Sequence, residues 1–240
     1  KSPSPLNLSH IQSSVFPDAE RTAFPTAYDL RNLGGVSYVT PVRNQNPYGT
    51  CWAFGALGSL ESNTLVASGG SGAPDYSEWH MAYFGYIDQS SSLPGFENYT
   101  TADLPGIFDE GGQDWKAIAI LARWTGAVAE STVPYNGSYP TGSEANQRIL
   151  THAYYLPSPV QGYSPISTQD LKYAIMNYGA VSIGMYASDN MAGNISGPEW
   201  NPTAAAYYYT GPESSNHAVT AVGWDDNYSA SNFNALQQPP

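Results

Sequence analysis

Cys51 is the only cysteine in 240 residues. No intramolecular disulfide can form, and a zinc site built on several thiolates is excluded. Whatever this chain folds into is therefore held by packing and hydrogen bonds. Its length allows that, as one large or two small packed units that bury most of their apolar surface without covalent staples. A hydrophobic fraction of 41% argues against a disordered chain. Taken alone, a solitary cysteine is most often a small buried hydrophobe. Its neighbours decide whether it is more than that.

Eight Lys plus Arg face twenty Asp plus Glu, for a net charge of -12. That balance repels phosphate backbones and argues against nucleic acid or a polybasic membrane patch as partner. Only 12% of residues are charged, and 19 tyrosines add to a neutral polar background. This composition points to an exported or cell-surface protein. No run of 18 apolar residues occurs, so no transmembrane helix is expected. Lys1-Ser-Pro-Ser-Pro5 has no apolar stretch behind it, so the expectation is a chain that starts after processing. Asn7, Asn98, Asn136, Asn194 and Asn227 begin Asn-x-Ser/Thr triplets, which matter only if the protein is exported.

Residues 1–27, rich in Pro and Ser, read as an extended arm. A helix is predicted from Thr50 or Cys51 to about Ala67, with Thr50 as N-cap and Ala53, Leu57, Leu60 and Thr64 on one face. Ser68-Gly-Gly70 stops it. A second helix runs from Ser77 towards Tyr86. Residues 87–112 read as a long loop. A third helix, about 113–125, would group Trp115, Ile118, Ala119 and Ala122, with Trp124 also a core residue. A fourth starts at a capping-box pattern, Ser167-Thr-Gln-Asp170, and ends at Gly179. Strands are expected at 180–186, 205–210 and 218–224. Helices early and strands late indicate an α+β chain with a helical lobe beside a sheet lobe.

Cys51 stands at the first turn of the first strong helix. A thiolate there lies at the positive end of the helix dipole, which favours the charged nucleophile. Gln45, six residues earlier, can bring an amide near the sulfur and form an oxyanion hole with the Cys51 N–H. Trp52 and Phe54 supply apolar cover. The nucleophile needs a base, normally histidine. His10 lies in the arm, His80 reads as structural, and His152 has no supporting pattern. His217 precedes the apolar strand Ala218–Gly223, which would hold its ring rigidly, although a histidine in that position more often merely begins a strand.

Several segments then match one family in order. Tyr28-Asp-Leu-Arg31, Val39-Thr-Pro-Val-Arg-Asn-Gln45 and Gly49-Thr-Cys-Trp-Ala-Phe54 resemble the amino-terminal signature of papain-like cysteine peptidases. Tyr76-Ser-Glu78, Gly111-Gly112, Val133-Pro-Tyr135 and Asn216-His-Ala-Val-Thr-Ala-Val-Gly223 follow in the family's order. The stretches 5–10, 122–126 and 223–229 resemble prokaryotic exported members, often joined to a lectin-like domain. The resemblance implies a two-lobed α+β fold with a helical lobe (about 44–145) and an antiparallel β-barrel-like lobe (about 28–43 and 146–240). The active-site cleft would lie between them. Residues 1–27 would be a propeptide remnant or a permanent brace.

The resemblance also implies roles. Cys51 would be the nucleophile, His217 its base and proton donor, and Gln45 the oxyanion donor. Gly111 and Gly112 would pair with an extended peptide, with Trp52 packed beside the site. Gln113, Asp114, Gly184, Ser215 and Asn216 would line the substrate cleft, and the side chain missing at Gly184 would widen it. Peptides or proteins are the implied substrates, with no metal or organic cofactor. The family also orients its histidine with an Asn in an Asn-Ser-Trp-Gly segment, which does not occur here. Asn232 and Asn234 are spaced suggestively but are not followed by Ser-Trp, and the expectation is that the orienting residue lies beyond Pro240. Two other readings compete. One is an inactive papain-fold surface or assembly module, and the other is a cell-wall peptide hydrolase or transpeptidase. Asp225-Asp226-Asn227 lacks EF-hand spacing and reads as a solvated turn, and Tyr207–Tyr209 as a strand.

Overall fold

The computed structural model describes residues 16, 24–87, 99–156, 168–188 and 197–239. The sequons at Asn7, Asn98 and Asn194, His10 and the Ser167 cap lie outside them. So does most of the 1–27 arm.

Helix α1 spans Cys51–Ala67, as expected. Its amino end differs from the expectation. Thr50 makes no side-chain cap, because its Oγ1 lies 2.6 Å from the Tyr135 hydroxyl. The helix packs against helices on one side and strands on the other, so Trp52, Ala53, Gly55, Leu57, Glu61, Ser62 and Leu65 are all buried. This is the pattern of a central helix rather than a surface one. Burying Leu57 alone contributes about 2 kcal/mol.

Helix α2 (Glu78–Tyr86) starts at Ser77, whose hydroxyl accepts the His80 N–H, as predicted. Within the expected 87–112 loop, 3₁₀ turns form at 101–103 and 106–109. The second delivers fully buried Phe108 to Trp79, with ring centroids 4.3 Å apart. Helix α3 (Asp114–Ala122) buries Ala117, Ile120 and Leu121. The face expected from Trp115, Ile118, Ala119 and Ala122 is therefore wrong. The segment is apolar almost all round, so its periodicity did not select one side. Trp124 is likewise 63% exposed, past the helix end with φ +64°, and is not a core residue. Helix α4 spans Thr168–Tyr178.

The strands form three antiparallel pairs among the described residues: β1 (Ala27–Asp29) with β6 (Gly223–Asp225), β2 (Val181–Met185) with β5 (His217–Ala221), and β3 (Trp200–Asn201) with β4 (Ala206–Tyr207). They do not close a barrel. The strand expected at 218–224 divides at Val222, whose carbonyl accepts the Leu30 N–H as the chain changes partner from β2 to β1. One core gathers Trp52, Leu57, Trp79, Phe108 and Ile120, and another Leu30, Ile175 and Ala180. The mixed helix and sheet content is α+β, with α1, α2 and α3 gathered on one core, α4 on others, and the β2–β5 pair packed across α1.

Candidate active site

The packing of α1 on β5 sets the helix that begins at Cys51 along the strand that begins at His217. A Cβ on Gly55 would sit 3.5 Å from the Ala218 Cβ, and one on Gly58 would sit 2.8 Å from Thr220 Oγ1. Helix and strand thus run side by side in the same direction. One turn back along α1 from Gly55 is Cys51, and one residue back along β5 from Ala218 is His217. Glycine at 58 is what permits so close an approach, which the Thr220 hydroxyl seals by donating to the Gly55 carbonyl at 3.2 Å. Cys51 is half-buried and reduced. Its backbone N–H donates to no group among the described residues, as is usual in a first helical turn.

The loop before α1 is tied down from several directions. Gln45 Nε2 donates to the Tyr48 carbonyl at 3.0 Å, which leaves its second amide hydrogen for a ligand. The Tyr135 hydroxyl donates to the Gln45 carbonyl at 2.5 Å and also meets Thr50 Oγ1. Burial, only partly offset by the Thr50 bond, pushes that phenol up to about 12, so it remains a neutral donor. The Gly49 N–H donates to Asp109 Oδ1 at 3.1 Å.

Gly111 and Gly112 run beside Trp52. A Cβ on Gly112 would lie 2.5 Å from the indole ring, so glycine is required here by Trp52. Trp52 itself is 1% exposed. It was expected to pack beside the site, and it does so from beneath this rim rather than as a surface open to a ligand. Its Nε1 donates to the Tyr86 hydroxyl at 3.2 Å, which in turn donates to the Gly111 carbonyl at 2.5 Å. Gln113 and Asp114 follow at the start of α3, and Ser182 Oγ donates to Asp114 Oδ1 at 3.3 Å.

At the other wall, Gly184 and Ser215 are exposed and adjoin each other. Ser215 Oγ donates to the Met185 carbonyl at 3.1 Å. The Asn216 amide is committed to the backbone of Ala187, accepting its N–H at 2.7 Å and donating to its carbonyl at 2.9 Å. Asn216 therefore extends the β2–β5 ladder and anchors the residue before His217. Asn234 does not serve as an orienting partner. Its Nδ2 donates to the Gly197 and Trp200 carbonyls, and its Oδ1 accepts the Leu236 N–H. Asn232 contributes its carbonyl to Asn201. His80, as expected, is structural. It is 2% exposed, and burial lowers its pKa to about 4 against the pull of Glu144.

A cleft of about 1300 Å³ is lined by Gln45 and His217 among others, and not by Cys51 or residues 111–114. At its back Arg43 joins three carboxylates: Glu61 at 2.9 Å, Glu78 at 3.1 Å and Asp75 at 2.7 Å. Burial raises Glu78 to about 7, with Arg43 acting against the rise. Sequence reading missed this cluster, together with Tyr86 and Asp109. Arg43 and Glu78 lie inside motifs that were read for other reasons. An arginine beside the loop, in a chain with so few cations, was the available signal.

Residues 24–234 match the family model for papain family cysteine protease. Cathepsin K of Gallus gallus is 30% identical over 83% of this chain and 50% of its own length. Fruit bromelain of Ananas comosus is 24% identical over 95% and 55% respectively. Among solved structures, the cysteine protease and lectin-like domains of Cwp84, a surface layer associated protein of Clostridium difficile, superpose with a TM-score of 0.61. They share 26% identity and cover 91% of this chain and 43% of that one. The chain spans about half the length of these curated relatives. With the family model matched over most of its length, and with cysteine, histidine and glutamine motifs in the expected order, the chain belongs to the papain family of cysteine proteases.

Proposed function

We propose that this chain carries the peptidase domain of an exported, cell-surface cysteine endopeptidase. The observation that supports this reading is the α1–β5 packing: Gly55 and Gly58 meet Ala218 and Thr220, and Cys51 lies one turn before Gly55 as His217 lies one residue before Ala218. In the proposed reaction Cys51 Sγ, as thiolate, attacks the peptide carbonyl carbon while the Gln45 amide and Cys51 N–H hold the oxyanion. The C–N bond breaks as His217 passes its proton to the leaving amine, leaving a thioester. His217 then takes a proton from water, which attacks the thioester. The C–S bond breaks, releasing the acid and restoring the thiolate. Export is supported by the surface-layer description of Cwp84 and by the exposed sequons at Asn136 and Asn227. A lectin-like neighbour in the whole protein is proposed on the same ground.

The test is turnover of a denatured protein beside purified cell-wall peptide fragments, with Cys51→Ser as control. Protein cleavage abolished by the substitution supports the endopeptidase. Release of products from wall fragments alone, or cleavage that survives Cys51→Ser, contradicts it.

A further inference from the structure

Tyr135 bonds to both ends of the loop that leads into α1. Its hydroxyl donates to the Gln45 carbonyl at 2.5 Å and lies 2.6 Å from Thr50 Oγ1. A phenol carries one hydrogen, and a carbonyl can only accept. The phenol hydrogen therefore goes to Gln45, and the Thr50 hydroxyl donates to the phenol oxygen. One line of bonds thus runs from Thr50, the residue before Cys51, through Tyr135 to Gln45. Thr50 is fully buried and stands where a helix cap is expected, yet it caps nothing. A capping oxygen would face the N–H groups of the first turn. Here it faces Tyr135 instead, so those N–H groups have no side-chain cap.

The tyrosine is itself held on several sides. Its ring meets Phe54 at 5.0 Å and Trp79 at 5.5 Å, both edge-on, and its backbone N–H donates to Glu130 Oε1 at 2.6 Å. Phe54 belongs to the first turn of α1, so the ring is keyed to the helix that starts at Cys51. The next residue adds another tie, because the Tyr48 hydroxyl donates to Asn136 Oδ1 at 3.4 Å. Gln45 has need of such a hold. Residues 45–50 lie in no helix or strand. The bonds between Gln45 and Tyr48, N–H to carbonyl at 3.1 Å and Nε2 to carbonyl at 3.0 Å, are internal to the turn. They set its shape and not its placement against α1. Two donors stabilise an oxyanion only where they converge on it, and small displacements cost rate.

We propose that Tyr135 is a positioning residue of the oxyanion hole, its hydroxyl holding the Gln45 turn against the start of α1 so that the Gln45 amide and the Cys51 N–H meet one oxygen. The inference rests on the peptidase reading. Tyr135 acts through Gln45 and touches no reacting atom. Its loss should therefore slow peptide turnover, in which a carbonyl oxygen becomes charged. It should spare alkylation of Cys51, which forms no oxyanion.

Tyr135→Phe removes the hydroxyl and keeps the ring contacts. Turnover of a quenched fluorescent peptide, matched to a bond cut in a denatured protein, is measured beside Cys51 alkylation by iodoacetamide at pH 6. The expected kcat is lower by about fivefold or more, with KM and the alkylation rate each within about twofold of the unchanged chain. Thr50→Val leaves the Gln45 bond and cuts the link to α1, so it should lower kcat by a smaller factor. In a Gln45→Ala background Tyr135→Phe should cost less than about threefold, because the group it positions is gone. A kcat loss under about fivefold in Tyr135→Phe, an equal loss with and without Gln45, or alkylation that falls in step with turnover would overturn the proposal and leave the peptidase reading standing. An unchanged chain that turns over no peptide would overturn that reading and this inference with it.

Discussion

Glycine at 112 answers to the indole of Trp52, and Trp52 answers to Tyr86, whose hydroxyl holds the Gly111 carbonyl. Single residues around this site are fixed by such local demands, and two of them make stability depend on pH. Glu78, raised to about 7 from 4.5, keeps a proton in the native state that the unfolded chain has released. Its contribution is full below about pH 4.5 and is lost as pH rises through 7. His80 has the opposite sign. Lowered to about 4 from 6.5, its contribution is full above pH 6.5 and is lost as pH falls through 4. Urea midpoints measured from pH 4 to 8 should show Glu78→Gln removing a decline between about pH 5 and 7.5, of order 3 kcal/mol at most. A Glu78→Gln profile parallel to wild type would contradict this. Cys51, Gln45 and His217 were legible because their neighbours form collinear motifs. The Arg43 cluster was not. Its members come from a loop, α1 and α2, and no local period links positions 43, 61 and 78.

Among the elements, α1 organises the rest. Its amino end carries Cys51, one side fills the helical core, and Gly55 and Gly58 admit the β2–β5 pair on another. Gly58→Val should push Thr220 and β5 away, lowering stability by about 1–3 kcal/mol. It should also slow Cys51 modification, because His217 rides on the displaced strand. Urea unfolding together with alkylation rate checks this. Loss of stability with an unchanged alkylation rate would show that the strand does not set the pair. The boundaries of α1 and α2 were readable from caps and glycine stops. The buried face of α3 was not, since an almost uniformly apolar segment takes its orientation from its neighbours, here Leu57 and the α2 aromatics. Strand β5 was read one element too long because Val222 is as apolar as the residues before it. Only the Leu30 bond reveals the change of partner.

In the whole molecule, packing replaces covalent bracing. The strand pair β1–β6 joins residues near the two ends of the described chain, with Tyr28 stacked on Trp224 at 5.1 Å and the Pro25 carbonyl accepting the Trp224 indole N–H. Phe16 is buried against Tyr173, with 4.6 Å between ring centroids. The solitary cysteine, which excluded disulfides at the outset, opens the helix that packs along the strand opened by His217, more than 160 residues away. In the proposed reaction these two side chains act as a thiolate–imidazolium pair. The most direct test is the rate of Cys51 alkylation by iodoacetamide across pH, with the adduct located by peptide mass. Rapid labelling at pH 6 that falls at least tenfold in His217→Ala is the predicted result. A Cys51 that reacts only near pH 8.5 or above, at the same rate with and without His217, would contradict it.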